Sequence, residues 1–370
     1  MVRNIKTFLI NTVTAWDEPP RARHQLSFSL ARDHKVIFIA RNKTGLPKVN
    51  IFNPQKSIKL VEPYFPVNYK FRYRLPGINE IYQRWLFKWI SDNLDFDYCV
   101  NFDFTATLIY NYFPRSIYYC NDDYIGNSRY PLWFVNKYHE FCERSVIKKA
   151  VFCIVTARFL EDKLSRFNRH TCLIPLGGPV LKNFDIPLKK ATNSETITLV
   201  LMYVNTRQMS RDIVGELLNK ADIRLVCIGP PDKEFEKKIK NHENVDFKGV
   251  LKGKTLYEEI NKADIGIAPY DLTEANKGVT PNKLWHYFSV GKPVVVTNLP
   301  NLSFFNFPDK YVYIDKSGNE FYDLIRKAHS ENNDMLIASR SQYADSNSWD
   351  KRTDEFVKIV NDFLGEKLQA

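Results

Sequence analysis

Glycine is scarce in this chain, 14 residues in 370, and none of it falls in a G-x-G-x-x-G or G-x-x-x-x-G-K-[ST] arrangement. Those patterns let backbone amides close around phosphate, so a dinucleotide oxidoreductase and a P-loop enzyme are both disfavoured. Cysteine is sparse as well. The six residues Cys99, Cys120, Cys142, Cys153, Cys172 and Cys227 are scattered, form no C-x-x-C pair and sit mostly in apolar, strand-like runs. They read as buried free thiols rather than zinc ligands or disulfides. No apolar run approaches the roughly 18 residues that would span a bilayer. Residues 6–10 enter a strand pattern without the charged, apolar, small-residue order of a secretory leader. The expectation is a cytoplasmic protein. Internal repeats and low-complexity tracts are also missing.

What is present suits a globular chain of two ordinary domains, with 44% hydrophobic and 14% aromatic residues over 370 positions. The net charge of +11 is unevenly placed: residues 1–180 carry 26 Lys and Arg against 15 Asp and Glu, and residues 181–370 carry 27 of each. A basic half suits nucleic acid, an anionic membrane face or an acidic substrate. No nucleic-acid recognition motif accompanies the charge, so nucleic acid is not expected as a partner.

Apolar runs at 7–11, 35–40, 57–61, 98–102, 116–120, 151–156 and 172–175 read as strands. Helical patterns lie between them near 22–33, 79–93, 131–149 and 157–166. The second half repeats the plan, with strands at 197–203, 223–228, 245–248, 264–268, 294–297 and 311–314. Its helices fall near 210–220, 232–241, 255–262, 281–290 and 318–329, before a charged helix to about residue 364. The alternation implies two doubly wound α/β domains with parallel sheets. The expected divisions are a first domain over 1–182, a linker over 183–194, a second domain over 195–346 and a final helical segment over 347–370. Ligands of such sheets bind beyond the carboxyl ends of the strands.

The most informative stretch runs from Thr280 to Thr297. Thr280 suits a helix N-cap and Pro281 the first helical position, while Leu284, Tyr287 and Phe288 recur on one face. Gly291 ends the helix and a β-branched strand follows. Free amides, a positive dipole end and Lys283 together make a candidate phosphate site.

This segment resembles the P-x-K-x-x-E-Y-x-x-x-G-K-P-V-V signature of GT-B fold glycosyltransferases of bacterial surface-polysaccharide assembly, through Pro281, Lys283, Tyr287, Gly291, Lys292 and Pro293. The resemblance extends loosely over nearly the whole chain. It takes in a W-x-x-x-x-R-x-x-Q-x-L-like block from Trp16 to Leu26, a Y-D-x-x-D-D-like block from Tyr118 to Tyr124, and an I-P-N-G-V-D-like block from Leu173 to Gly178. Cys227–Pro230 and Val245–Gly249 are similar to the family's strand ends. The resemblance implies two Rossmann-like domains facing a cleft, with a C-terminal helix crossing back to the first. It also implies transfer of a sugar from a nucleotide diphosphate sugar, UDP-linked, to a lipid-linked or saccharide acceptor. The nucleotide sugar is a co-substrate and no cofactor is expected.

On that resemblance the donor diphosphate would lie against Thr280, Pro281, Asn282 and Lys283, with Arg207 facing it and Gly249, Val250 and Leu251 by the base. Glu274 and Lys277 are further candidates for touching the donor sugar. Many retaining relatives carry two glutamates here, at positions that are Gly278 and His286 in this chain. His286 could still hold the ribose by accepting a hydrogen bond. The lost glutamate turns the expectation toward an inverting enzyme akin to xanthan glucuronosyltransferase. An inverting enzyme needs a general base, for which Asp122 and Asp123 stand at a strand end. Asp17, Arg21, Arg23 and His24 are the acceptor-side candidates. No metal is expected, because no D-x-D stands in a suitable loop and a helix dipole with basic groups can neutralise the leaving diphosphate.

Basic and aromatic residues interleave from Tyr69 to Arg74 and suggest an anionic membrane surface, whereas Ile81, Trp85 and Trp89 read as a packed helix face. Two other classes fit the same fold: a UDP-sugar epimerase, and a non-catalytic module that binds a sugar nucleotide or a membrane.

Overall fold

The computed structural model describes residues 5–127, 130–182, 184–204, 206–239, 242–273, 276, 279 and 281–365. The chain divides into two compact units. Unit 1 comprises Met1–Leu176 with Arg352–Ala370, and unit 2 is Gly177–Lys351.

Unit 1 is built on strands β1 (Thr7–Asn11), β2 (Lys35–Ile39), β3 (Lys43–Thr44), β4 (Lys48–Gln55), β5 (Ile58–Phe65), β6 (Tyr98–Asn101), β7 (Ser116–Cys120), β8 (Cys153–Val155) and β9 (Thr171–Leu173). Their order is β3-β5-β2-β1-β6-β7-β8-β9, parallel throughout except for β4, which pairs antiparallel with β5. Helices α1 (Ala22–Leu30), α2 (Tyr69–Arg72), α3 (Ile78–Asn93), α4 (Ile109–Tyr112), α5 (Tyr124–Asn127), α6 (Trp133–Lys149) and α7 (Arg158–Leu164) connect them. β1, β6, β7 and β8 are buried from end to end or nearly so, as two-sided coverage of a parallel sheet requires. Because β1 pairs with β2 on one side and β6 on the other, the winding reverses there, and the crevice beyond Asn11 and Asn101 is a topological switch point.

Unit 2 repeats the design with β10 (Ile197–Met202), β11 (Ile223–Ile228), β12 (Val245–Gly249), β13 (Ile265–Ala268), β14 (Val294–Thr297) and β15 (Val312–Asp315), ordered β12-β11-β10-β13-β14-β15 and all parallel. Its helices are α8 (Arg211–Leu218), α9 (Lys233–Ile239), α10 (Gly253–Lys262), α11 (Lys283–Ser289), α12 (Phe321–Ser330) and α13 (Asp334–Ser346). The last helix, α14 (Trp349–Gly365), begins in unit 2 and from Arg352 belongs to unit 1. There Phe356 packs on Phe8 and Tyr119, and Phe363 stacks on Phe152.

The division falls at residue 176, earlier than the expected linker. Much of the 183–194 stretch is anchored to unit 2: Lys189 pairs with Asp264 at 2.6 Å, and the Ala191 N–H donates to Asp334. The six cysteines are free, and five are buried; burial pushes the Cys99 and Cys120 thiols up to about 12, where they are inert. Among the described residues, no helix is long and apolar enough to cross a membrane.

Candidate active site

Unit 1 holds a cavity of about 230 Å³ lined by loops that follow β1, β2, β6 and β7. Arg21, Arg23 and Arg41 face it, with Glu18, Asp103 and His139 and the rings of Tyr69, Tyr73, Tyr124 and Tyr130. This is the crevice that the strand order predicts. Arg21 sits near Glu18 at 3.5 Å, and Arg41 lies over the Tyr69 ring at 4.8 Å. Arg23 is buried, its Nη1 donating to Asn121 and the Tyr124 hydroxyl, each at 3.4 Å.

Of the acceptor-side candidates, Arg21 and Arg23 come together here, and the other two do not. Asp17 is exposed and does not line the cavity. His24 is a structural residue: its Nδ1 accepts from the Arg21 N–H and its Nε2–H donates to the Ala15 carbonyl. Burial lowers its pKa, only partly opposed by that carbonyl, which keeps the ring neutral and the β1–α1 turn fixed.

The adjacent carboxylates also part company. Asp123 is held by Lys163 at 2.8 Å and caps α5 through the Gly126 N–H. Lys163 pairs at 2.8 Å with the buried Glu143 as well. Burial works to lower the Lys163 pKa, but Glu143 and Asp123 outweigh it and leave it raised. Asp122 is exposed and accepts the Asp123 N–H. Neither lines the cavity. Asp103, which the sequence reading passed over, does. Its Oδ1 accepts from the Thr105 N–H at 2.8 Å and hydroxyl at 2.7 Å, fixing the carboxylate in place. The Asn11–Asn101 side-chain bond at 2.9 Å, with Asn101 also binding the Asp103 backbone, locks the loop behind it. The available signal was the polar Asn101-Phe102-Asp103 end of a buried strand.

The Tyr69–Arg74 stretch divides differently from the membrane expectation. Arg72 is buried, donating to Asn42 and Asn79 beneath the Tyr82 ring, and Tyr69 and Tyr73 line the cavity. Lys70 and Phe71 remain exposed. On α3, Trp85 and Trp89 pack against the core as expected, whereas Ile81 is exposed.

In unit 2 the 280–297 stretch forms α11 and β14, and Thr280 lies outside the described residues, as do Glu274, Lys277 and Gly278. The residue at the N-cap is Asn282, with φ −58° and ψ −21°, so Pro281 stands before the helix rather than in its first turn. The Leu284 N–H bonds back to the Pro281 carbonyl, a tightened entry that shifts the boundary. Asn282 Oδ1 is buried without a hydrogen-bond partner. Lys283 Nζ lies 4.6 Å from the Tyr270 ring centroid.

Several motif residues are builders. The Tyr287 hydroxyl accepts from the Met202 N–H and donates to the Ile267 carbonyl, tying β10 to β13. Its ring covers Gly266, where a Cβ would stand 2.3 Å away, so only glycine fits. Gly291, at φ +76°, provides the left-handed residue after the helix. Lys292 is buried, and desolvation, with the like charges of Lys189 and Arg340, lowers its pKa to about 7 against the pull of Asp264. His286 stacks on Tyr257, whose hydroxyl meets its Nδ1 at 2.9 Å, and desolvation lowers its pKa to about 4. The ring is neutral and held in one pose, and Nε2 is an acceptor in the tautomer whose Nδ1–H donates to the Tyr257 oxygen. Gly249, at φ +65°, ends β12; Val250 is exposed and Leu251 partly buried. Arg207 is exposed in a 3-10 turn after β10. Among the described residues, no three His, Cys, Asp or Glu gather as a metal nest.

Residues 205–326 match the family described as Glycosyl transferases group 1, placing that family's sequence in unit 2. A Bacillus subtilis (strain 168) protein described as a teichuronic acid biosynthesis glycosyltransferase, TuaH, is 34% identical over 102 residues, 26% of this chain. The match spans a quarter (25%) of that relative's length. Sucrose-phosphate synthase from Thermosynechococcus elongatus superposes with a TM-score of 0.72 at 11% identity, covering 98% of this chain and 100% of the other. WaaG, a glycosyltransferase involved in lipopolysaccharide biosynthesis, gives 0.65 at 15% identity, over 97% and 99%. The chain therefore has the GT-B fold. Within it, unit 2 is similar to the group 1 glycosyl transferases.

Proposed function

We propose that this protein transfers one sugar from a nucleotide diphosphate sugar, UDP-linked, to a lipid-linked or saccharide acceptor in cell-surface polysaccharide synthesis, without a metal. The observation that carries the reading is the group 1 glycosyl transferase match over residues 205–326, which contains α11 and its lysine. The name of the teichuronic acid relative supports the choice of pathway.

In this reading the amides entering α11, Lys283 and Arg207 receive the donor diphosphate and stabilise its charge as it departs. Gly249, Val250 and Leu251 border the base, and neutral His286 accepts from the ribose. The unit 1 cavity takes the acceptor. An inverting transfer requires a general base to draw off the acceptor hydroxyl's proton as the anomeric carbon is attacked from the face opposite the leaving diphosphate. Asp103 suits that role better than Asp122 or Asp123, because it lines the cavity with one oxygen fixed by Thr105, whereas Asp123 is committed to Lys163.

Thermal-shift titration with UDP-, GDP-, dTDP- and CMP-linked sugars tests the donor site. One of them, expected to be the UDP series, raises the melting temperature, and Lys283→Ala removes the rise. An unchanged shift in that variant would place the donor elsewhere. Sugar release or transfer only with acceptor present separates this reading from an epimerase, which acts on the donor alone.

The same reading puts the protein at an anionic membrane face. On α6, Trp133 is 74% and Phe141 67% exposed, alternating with exposed Lys137, Arg144 and Lys148. The Tyr73–Tyr130 hydroxyl contact at 2.6 Å joins the loop before α6 to α2, which adds exposed Lys70 and Phe71. Each basic residue near such a surface contributes about 1 kcal/mol. Flotation with phosphatidylglycerol vesicles should carry the protein up at low salt and release it at high salt, and Trp133→Ser with Phe141→Ser should weaken recruitment. No flotation at low salt would end the membrane assignment.

A further inference from the structure

We propose that the unit 1 cavity is an oxyanion site, in which Arg23, flanked by Arg21 and Arg41, receives a phosphate or carboxylate borne by the acceptor. This rests on the acceptor reading above and specifies its chemistry. The argument begins with an electrostatic imbalance. Arg23 is only 7% exposed, yet its hydrogen-bond partners are neutral: Asn121 Oδ1 and the Tyr124 hydroxyl, both at the long distance of 3.4 Å. Its Nε has no hydrogen-bond partner. A guanidinium stays charged at all ordinary pH, and a buried charge without a counterion is strongly unfavourable.

Arg72, in the same unit and 2% exposed, is also held by neutral partners, but its Nε is satisfied and an aromatic face covers its charge. Its Nε donates to Asn42 at 3.0 Å, its Nη1 to Asn79, and the Tyr82 ring lies 3.9 Å from the guanidinium carbon. Arg23 lacks that completion and opens instead on a cavity shared with two more arginines. The carboxylates present do not supply the missing charge. Glu18 lies between Arg21 at 3.5 Å and Arg41 at 3.9 Å and also accepts the Ala15 N–H. Asp103 has Oδ1 engaged by Thr105. The forked donors of arginine match phosphate and carboxylate oxygens two at a time, which is the geometry an acceptor terminus of either kind offers. The rings of Tyr73, Phe104 and Tyr130 supply faces for the attached carbon skeleton.

The test uses the full-length protein and three probes at millimolar concentration: inorganic pyrophosphate, glucuronate and neutral glucose. Pyrophosphate or glucuronate, and not glucose, should raise the melting temperature by a few degrees, and which of the two does so names the oxyanion. The rise should persist in Lys283→Ala, because it does not come from the donor site, and vanish in Arg23→Met. In the absence of anion, Arg23→Met should melt no lower than the parent, since it removes an unpaired buried charge. A shift lost in Lys283→Ala but kept in Arg23→Met would overturn the proposal, as would no shift with either anion. Arg23→Met melting several degrees lower would assign Arg23 a structural role and likewise overturn it. UDP-sugar binding that survives any of these failures leaves the glycosyltransferase reading standing.

Discussion

The two units end their sheets in opposite ways. At the switch point of unit 1 the strands open onto charged side chains that follow β1, β2 and β6, around a cavity that packing has not filled. In unit 2, α11 is pressed onto the sheet: Tyr287 bridges β10 and β13, and Trp285 and Phe288 join Phe307 and Tyr343 in an aromatic cluster. Among the described residues, α11 presents Lys283 in its first turn and His286, held by the Tyr257 hydroxyl. A fixed backbone cradle suits a group common to many substrates, and a cavity of loop side chains suits one that differs from enzyme to enzyme.

Removing Asp103, the general base proposed above, should have the largest effect. Asp103→Asn is expected to lower kcat by about 10²–10⁴-fold, the range for a general base, with donor binding unchanged. Asp123→Asn should instead lower the melting temperature, by loosening the Lys163–Glu143 pairing, and leave a measurable rate. If Asp123→Asn abolishes turnover and Asp103→Asn does not, the base belongs to the strand end after β7.

The sealed character of unit 2 is tested next. Gly266→Ala drives a methyl group into the Tyr287 ring and should cost about 1–3 kcal/mol. Gly215→Ala, in α8 with open space around it, should stabilise by up to about 1 kcal/mol. Denaturant melts of both variants should move in opposite directions; equal and small shifts would mean that α11 is not tightly seated.

A stability contrast of similar size is read by pH in unit 2. Lys292 titrates near 7 in the fold and near 10.5 when unfolded, so between those values the unfolded chain binds the extra proton. Stability from this group is complete above about pH 10.5 and is lost as the pH falls toward 7. Between pH 7 and 8.5 the gain should be about 2 kcal/mol, and Lys292→Met should flatten that slope in calorimetry of the whole protein. A slope that persists in the variant would assign it to other groups.

How much of this was legible beforehand depended on how local the signal was. Buried parallel strands declare themselves by unbroken apolar runs, and the expected strands of both units are present. The antiparallel β4 escaped because Lys48–Gln55 is largely exposed, so no buried face imposes a period. The 280–297 motif was readable because its glycine, tyrosine and lysine each answer a short-range packing demand. The unit 1 cavity was only half readable. Arg21 and Arg23 sit in one block, but Arg41 and Asp103 reach it from distant loops and His139 from α6, and nothing local distinguishes Asp103 from a strand-end cap. Asp122 and Asp123 raise the same difficulty, since adjacent acids at a strand end look alike whether they line a cavity or meet a lysine.

The fold also orders the protein's assembly in time. On the ribosome unit 1 is made first, yet Phe8, Tyr119 and Phe152 wait for Phe356 and Phe363 to cover them. Unit 2 is complete by Lys351, and its two ends are already stitched by paired backbone bonds between Gly178 and Asn347 and between Trp349 and Gly178. Unit 1 therefore closes only after unit 2 has been made, with an aromatic flank open to chaperones until α14 emerges.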